Sequence, residues 1–307
     1  MGAFANTAAI PARWRLAISD RTLFGATIFL SSFLLFQVQP ILAKQILPWF
    51  GGSAAVWTTG LLFFQVVLFL GYGYAHLLGR LTPERQRLVH GCLLVVSLAW
   101  LPVTPSASWK PVGDEDLPRI LGLLATTVGL PYFVLSATTP LLQLWLTQRR
   151  NALPWRFYAV SNVASLVALL AYPLVIEPLM PTRLQALGWP ALYAGFLALC
   201  GLVIGRGASI TPVTVQTTVH PPVADRLRGL VLSALPCLLS LSVTNHLCQN
   251  VAAIPFLWVL PLAMYLLSLI VCFEGGGWYS RRIFLPYTPS RWVGPPGGCS
   301  INRLPQC

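Results

Sequence analysis

The sequence has very little charge, since 9% of its 307 residues are Asp, Glu, Lys or Arg and only 8 of them are acidic. A soluble domain usually carries about 25% charged residues and covers its core with them. A chain that is 56% hydrophobic cannot build such a surface. The composition therefore excludes an ordinary soluble domain, and it also excludes a disordered chain, which needs low hydrophobicity.

The sequence also lacks the cysteine patterns that mark metal centres and disulfide scaffolds. Its seven cysteines form no Cys-x-x-Cys pair and have no histidine at ligand spacing. An odd number does not suit a secreted disulfide framework. Most of them are better interpreted as small apolar residues inside helices. We predict no metal and no cofactor.

Lys and Arg outnumber Asp and Glu by 20 to 8, an excess that nucleic-acid-binding proteins also show. Such proteins gather their basic residues on one face of a polar fold. Here the basic residues stand in small groups between apolar runs, as topology signals do. We predict the lipid bilayer as the partner and no nucleic acid.

Long uncharged runs predict an all-α fold, a polytopic transmembrane helical bundle of about eight spans. A bilayer core about 30 Å thick needs about 20 mostly apolar residues. The first run is too long for a signal peptide, which has an apolar core of about 7–15 residues. The last run is long enough for two spans, with a reversal at the polar cluster 245–250. The predicted spans are 23–42, 54–78, 88–105, 120–146, 157–176, 187–204, 229–246 and 254–273.

The distribution of Lys and Arg predicts the orientation, because cytoplasmic loops are enriched in these residues. With both termini cytoplasmic, the outside loops hold only Lys44, Lys110, Arg119 and Arg183. The inside segments hold groups of three each: Arg13, Arg15 and Arg21; Arg80, Arg85 and Arg87; Arg149, Arg150 and Arg156; Arg206, Arg226 and Arg228. We expect a cytoplasmic segment at 1–21 and a transmembrane domain at 22–274.

A weak internal repeat recurs at intervals of about 100 residues. Pro40-Ile41-Leu42 is expected to close the first span, where Gln39-Pro40 and Lys44-Gln45 follow the apolar run, and Pro140-Leu141-Leu142 lies near the end of the fourth. The segment 245–247 fits the same position later. Three-helix repeats are typical of transporters. The alternative is that proline and tryptophan are simply common at membrane interfaces.

Polar residues within spans are expensive in lipid and are candidates for a functional site. One interpretation is a polar cavity near the repeat prolines that binds a small polar or cationic solute. The other is hydrogen bonding between helices, and an external loop also explains the cluster near residue 245. The candidate substrate-binding residues are Gln39, Gln143, Asn162, Asn245, His246 and Asn250, with Gln37 and Gln65 as further polar residues in spans.

The last part of the chain differs sharply from the rest. After Arg281-Arg282 the sequence changes to a Pro-, Gly- and Cys-containing stretch without helical periodicity. We expect 275–307 to be an irregular tail, produced by a truncation or a frameshift near Pro286.

Three stretches resemble a known family of bacterial proteins that fuse a major-facilitator-like helical domain to a spermidine-synthase-like domain. They are the segments QPILAK at 39–44 with LPWFGG at 47–52, WRFYAVSN at 155–162 and PFLWVLPL at 255–262. The likeness runs from about residue 20 to 285, and it concerns the membrane half. It implies a bacterial inner-membrane protein of transporter-like architecture with a small polar or polyamine solute.

The catalytic half of that family has no counterpart in this sequence. Its glycine-rich cofactor loop needs a strand before it and an acid after it, whereas Gly275-Gly276-Gly277 follows a span and precedes Trp278. A helix-ending turn explains these glycines better, and we do not expect aminopropyl transfer by this chain. The resemblance leaves three functions open: a transporter, the membrane anchor of an aminopropyltransferase-like enzyme, or a scaffold that carries no solute.

Overall fold

The computed structural model describes residues 12–51, 53–111, 116–150, 155–206, 222–250 and 259–273. Helical turns make up 92% of these residues and no strand occurs among them, so the predicted all-α fold is confirmed. The α-helices are α1 (Ala12–Phe50), α2 (Ala54–Leu78), α3 (Pro83–Ser97), α4 (Asp116–Leu124), α5 (Leu130–Arg150), α6 (Trp155–Ala171), α7 (Glu177–Leu179), α8 (Thr182–Gly205), α9 (Val223–Asn250) and α10 (Val259–Phe273).

Six described helical segments are long and apolar enough to cross a membrane. Their outer surfaces expose many large apolar side chains, more than a water-soluble surface leaves in contiguous patches. These features indicate a multi-pass membrane protein. The segments are Arg21–Phe50, Ala55–Leu78, Leu117–Thr147, Phe157–Leu179, Thr182–Gly205 and Val223–Thr244, and the apolar segment Val259–Val271 is shorter.

Two of the long segments are continuous across a π-helical turn. α4 continues into α5 through Ala125–Gly129, and α6 continues into α7 through Tyr172–Ile176. The second turn contains Pro173, which has no N–H to donate to the preceding turn. A π turn accommodates such an interruption without ending the helix.

The predicted span 88–105 is not one long helix. α3 ends at Ser97, a single 3₁₀ turn covers Leu98–Trp100, and Leu101 is extended with φ −85° and ψ 143°. Proline at position 102 accounts for this break, because the residue before a proline is pushed away from helical conformation.

The first helix does not end where the sequence pattern predicts. α1 passes through Pro40 and Pro48 and stops at Phe50. Proline is tolerated in membrane helices when neighbouring groups satisfy the carbonyl that it leaves free. The helix ends at Gly51, whose φ of 76° and N–H bond to the Leu47 carbonyl (2.9 Å) suit a helix C-terminus.

The polar cluster near residue 245 is also not the predicted turn. It lies inside α9, which continues to Asn250, and the reversal before α10 falls outside the described residues. α9 packs mainly on α10. None of the described α9 side chains is buried.

The bundle is built around α1, which packs against α5, α6 and α8. Phe24 and Ile28 of α1 pack with Leu142 and Leu146 of α5, whereas Gln39 reaches Tyr132. α1 and α5 are therefore antiparallel. We call the two ends of the bundle the Lys44 end, where α1 finishes, and the Arg80 end, where α2 finishes and α3 begins.

Small residues let the helices approach closely at particular positions. Ala164 and Ala168 are fully buried on α6, as the sequence suggests for tight packing. A Cβ on Gly71 would lie 1.8 Å from Ser136 Oγ and 2.9 Å from its Cβ, so α2 and α5 touch there. A Cβ on Gly73 would meet nothing within 4 Å, so only the first of these two glycines is needed for packing.

We expect Gly71→Ala to destabilise the bundle by about 1–3 kcal/mol, the usual cost of overpacking, because neither Ser136 Cβ nor the α5 backbone can move aside. The matched control is Gly73→Ala, which gains helix propensity and meets open space. Unfolding in detergent measures both. Equal stability of the two variants would show that the α2–α5 contact is not tight.

Candidate functional site

Pro40 lines two neighbouring cavities, which also share the walls Ala43, Leu47 and Trp57. The smaller has a volume of about 30 Å³ and the larger about 130 Å³. Proline removes one N–H from α1, although α1 continues through it as a helix. The sequence predicts a polar, solute-binding cavity near the repeat prolines; the cavities at Pro40 are mainly apolar, and solute binding there stays a prediction.

An ion pair lies at the larger cavity. Lys44 Nζ is 3.2 Å from Glu177 Oε1, and the two side chains are 35% and 32% exposed. Both residues line the cavity, whose other walls include Leu169, Tyr172 and Val259. The pair thus brings one acid and one base to a mainly apolar cavity.

Gln39 lines the smaller cavity. Its Nε2 donates a hydrogen bond to Tyr132 Oη at 3.1 Å, which joins α1 to α5. Among the candidate residues whose side chains the structure describes, only Gln39 lines a Pro40 cavity.

Gln37 lies on another face of α1 and is 2% exposed. Its Nε2 donates to the carbonyl of Ala168 at 2.7 Å. Ala168 lies in the last turn of α6, just before the π-helical turn that contains Pro173. Gln37 therefore links α1 to α6 through a hydrogen bond from its side chain to the main chain.

The remaining candidates do not join Gln39. Gln143 is buried near the Arg80 end, and its Nε2 has no partner among the described residues. It stands about 17 Å along α5 from Tyr132, at 1.5 Å per residue. Gln39 precedes Pro40 by one residue, and Gln143 follows Pro140 by three. Because α1 and α5 are antiparallel, the two side chains lie toward opposite ends of the bundle.

The other predicted polar residues have local or peripheral positions. Asn162 Nδ2 donates to the Tyr158 carbonyl of its own helix at 2.9 Å. Gln65 and His246 are exposed, and the side chains of Asn245 and Asn250 lie outside the described part of the chain.

Sequence reasoning missed a buried polar cluster between α3 and α5. His90 is fully buried, with Nε2 3.1 Å from Thr138 Oγ1. Gln86 accepts from Trp145 Nε1 at 2.7 Å and donates to the carbonyls of Gly79 and Leu81. This cluster ties the end of α2 to α3 and α5. The signal in the sequence is a pair of polar residues four apart, with Gln86 just before the predicted span 88–105 and His90 inside it.

The described residues contain no group of three or more His, Cys, Asp or Glu side chains that could hold a metal ion. The fold and these cavities define a class, a multi-pass helical membrane protein with a small, mostly apolar cavity beside one ion pair. No family model, curated protein or solved structure matches the chain.

We expect Gln37→Leu to destabilise the bundle by about 1 kcal/mol, because the hydrogen bond that joins α1 to the Ala168 carbonyl of α6 is lost. Gln65→Leu is the control, since it makes the same change at an exposed position of a neighbouring helix. Reversible unfolding in detergent separates the two. The interpretation of Gln37 is wrong if both variants have the same stability.

Proposed function

We propose that this chain is a transporter-like domain of the bacterial inner membrane that binds a small organic amine in the Pro40 cavity. The observation that carries this proposal is the ion pair of Lys44 and Glu177 at the cavity. An amine bound there takes the place of Lys44 beside the Glu177 carboxylate. Lys44 then competes with the amine for the Glu177 carboxylate, and a bound amine displaces it.

The cavity walls suit the rest of such a solute. Leu47 and Leu169 offer apolar contacts to methylene groups, and Trp57 lines the same cavity. An apolar cavity of about 150 Å³ holds one benzene molecule, and this one has about 130 Å³. The size favours a short amine over a long polyamine.

The packing of the helices supports a transporter-like repeat. If α1 to α3 form one unit and α4 to α8 the next, α1 corresponds to α5, α2 to α6 and α3 to α8. The contact between α1 and α6 then corresponds to the contact between α5 and α2. The contact between α1 and α8 corresponds to the contact between α5 and α3. Because α1 and α5 are antiparallel, the repeat is of the inverted kind found in transporters.

The charge distribution supports an eight-span topology with the Arg80 end in the cytoplasm. Arg80, Arg85 and Arg87 adjoin that end, and Arg206 follows α8 there. Lys44 and Arg183 lie at the other end, in agreement with the positive-inside rule. The Pro40 cavity then faces away from the cytoplasm.

The family resemblance of the sequence adds a choice among amines. We propose that the chain is the membrane half of a protein of the spermidine-synthase-like fusion type, and that its solute belongs to polyamine metabolism. The alternative from the same resemblance is an anchor for an aminopropyltransferase-like domain. The ion pair at the cavity favours the solute-binding function.

We expect Glu177→Gln to weaken binding of a short diamine about tenfold or more, because the carboxylate that meets the ammonium is lost. Lys44→Met should have the opposite effect and tighten binding, since it removes the internal competitor. Calorimetric titration in detergent and uptake into proteoliposomes measure both effects.

The matched control for this pair is Asp225→Asn, an equal charge change at the start of α9. If the ion pair is purely structural, Glu177→Gln and Lys44→Met both lower stability, and neither tightens amine binding. Flat uptake of every amine tested by the unaltered chain would also contradict the proposal.

The orientation has its own test in single cysteines placed at the two ends. In a background without the seven native cysteines, Arg183→Cys should react with an impermeant thiol reagent on intact spheroplasts. Arg85→Cys should react only after the membrane is opened. The reverse pattern would invert the topology, and labelling of both from outside would contradict the span assignment.

A further inference from the structure

A wide groove runs between α3 and α8, with a volume of about 800 Å³. Its walls are mainly apolar and include Leu88 and Val95 of α3 and Leu197 and Ile204 of α8. Leu88 and Val95 are 67% and 68% exposed. The groove lies away from the Pro40 cavities, and the proposed amine site does not use it.

Two glycines account for the width of the groove. Gly91 of α3 and Gly201 of α8 both line it and contribute no side chains. A Cβ on Gly201 would meet nothing within 4 Å, and a Cβ on Gly91 would make only an ordinary contact with Ile204 at 3.8 Å. The space is therefore open and not required for close approach of the two helices.

The charged residues of the groove stand together at the Arg80 end. Glu84 and Arg87 are three residues apart on α3, so they share a face of the helix. Both line the groove, yet within the described residues no salt bridge joins them. Arg87 Nε donates to the Pro83 carbonyl at 3.1 Å, which leaves its terminal nitrogens available for an anion.

The length of the groove matches one leaflet of a bilayer. Its α3 wall extends from Glu84 to Leu98, about 21 Å at 1.5 Å per residue. Half of a hydrocarbon core is about 15 Å thick, and the remainder reaches the headgroup region. The charged end thus falls at headgroup depth while the apolar part falls among acyl chains.

We propose that the α3–α8 groove is a binding site for a bilayer phospholipid with a primary amine on its phosphate, such as phosphatidylethanolamine. Arg87 binds the phosphate, Glu84 accepts hydrogen bonds from the ammonium, and one acyl chain lies over Gly91 and Gly201. The neighbouring positive and negative groups complement this zwitterion. Phosphatidylglycerol has no ammonium for Glu84, and the quaternary ammonium of phosphatidylcholine has no N–H to donate.

Native mass spectrometry of the delipidated full chain in detergent tests the site, with equal additions of phosphatidylethanolamine, phosphatidylglycerol and phosphatidylcholine. We expect the first lipid to be retained about tenfold better than the others. Gly201→Leu fills the groove and should abolish this retention. Gly195→Leu is the matched control, because it lies on α8 outside the groove and its Cβ also meets nothing within 4 Å.

Two charge variants test the headgroup assignment. Glu84→Gln should remove the preference for phosphatidylethanolamine over phosphatidylglycerol while lipid is still retained, and Arg87→Gln should lower the retention of both. A structural role of Glu84 would leave this preference unchanged. The proposal is overturned if Gly201→Leu binds like the unaltered chain, if both glycine variants lose lipid equally, or if Gly201→Leu instead dissociates a dimer.

Discussion

The structure depends on one constraint, that every backbone N–H and C=O inside a bilayer needs a partner within the protein. Proline breaks this rule locally, and the central helix α1 contains two prolines. Polar side chains of α1 also bond to main-chain carbonyls of neighbouring helices. Gln37 donates to the Ala168 carbonyl of α6, and Ser31 donates to the Leu135 carbonyl of α5 at 3.0 Å. These bonds join α1 to two of its neighbours.

Small residues and proline determine where the bundle is densely packed and where it is open. Helices that meet through Gly71, Ala164 and Ala168 approach closely, because these residues place little between the backbones. Around Pro40 the packing is open, and the proline lines two cavities. The side chains around an empty cavity have fewer dispersion contacts than those in a packed core. A bound molecule that restores these contacts is therefore favoured. This is the physical basis of the proposed solute site.

The few charges of this chain are placed at helix ends, where a bilayer tolerates them. Lys44 and Glu177 form an ion pair at the Lys44 end of the bundle. Glu84 and Arg87 lie at the Arg80 end and do not form an ion pair with each other. The first pair borders a small cavity and the second a long groove. Because so little charge is present, each such group dominates the electrostatics around it. The two regions are thereby suited to different ligands, a soluble cation and a lipid headgroup.

The sequence by itself determined the helical class and the main apolar helices. Whether an apolar segment can span a bilayer depends on its own length and hydrophobicity, which are local properties of the sequence. The sequence did not predict that α1 continues past Pro40 or that α3 ends before Pro102, since both depend on neighbouring groups. Only the tertiary structure decided which distant residues meet. Lys44 of α1 meets Glu177 of α7. Gln143 lies far from Gln39 because α1 and α5 are antiparallel and both residues stand in the later part of their helices.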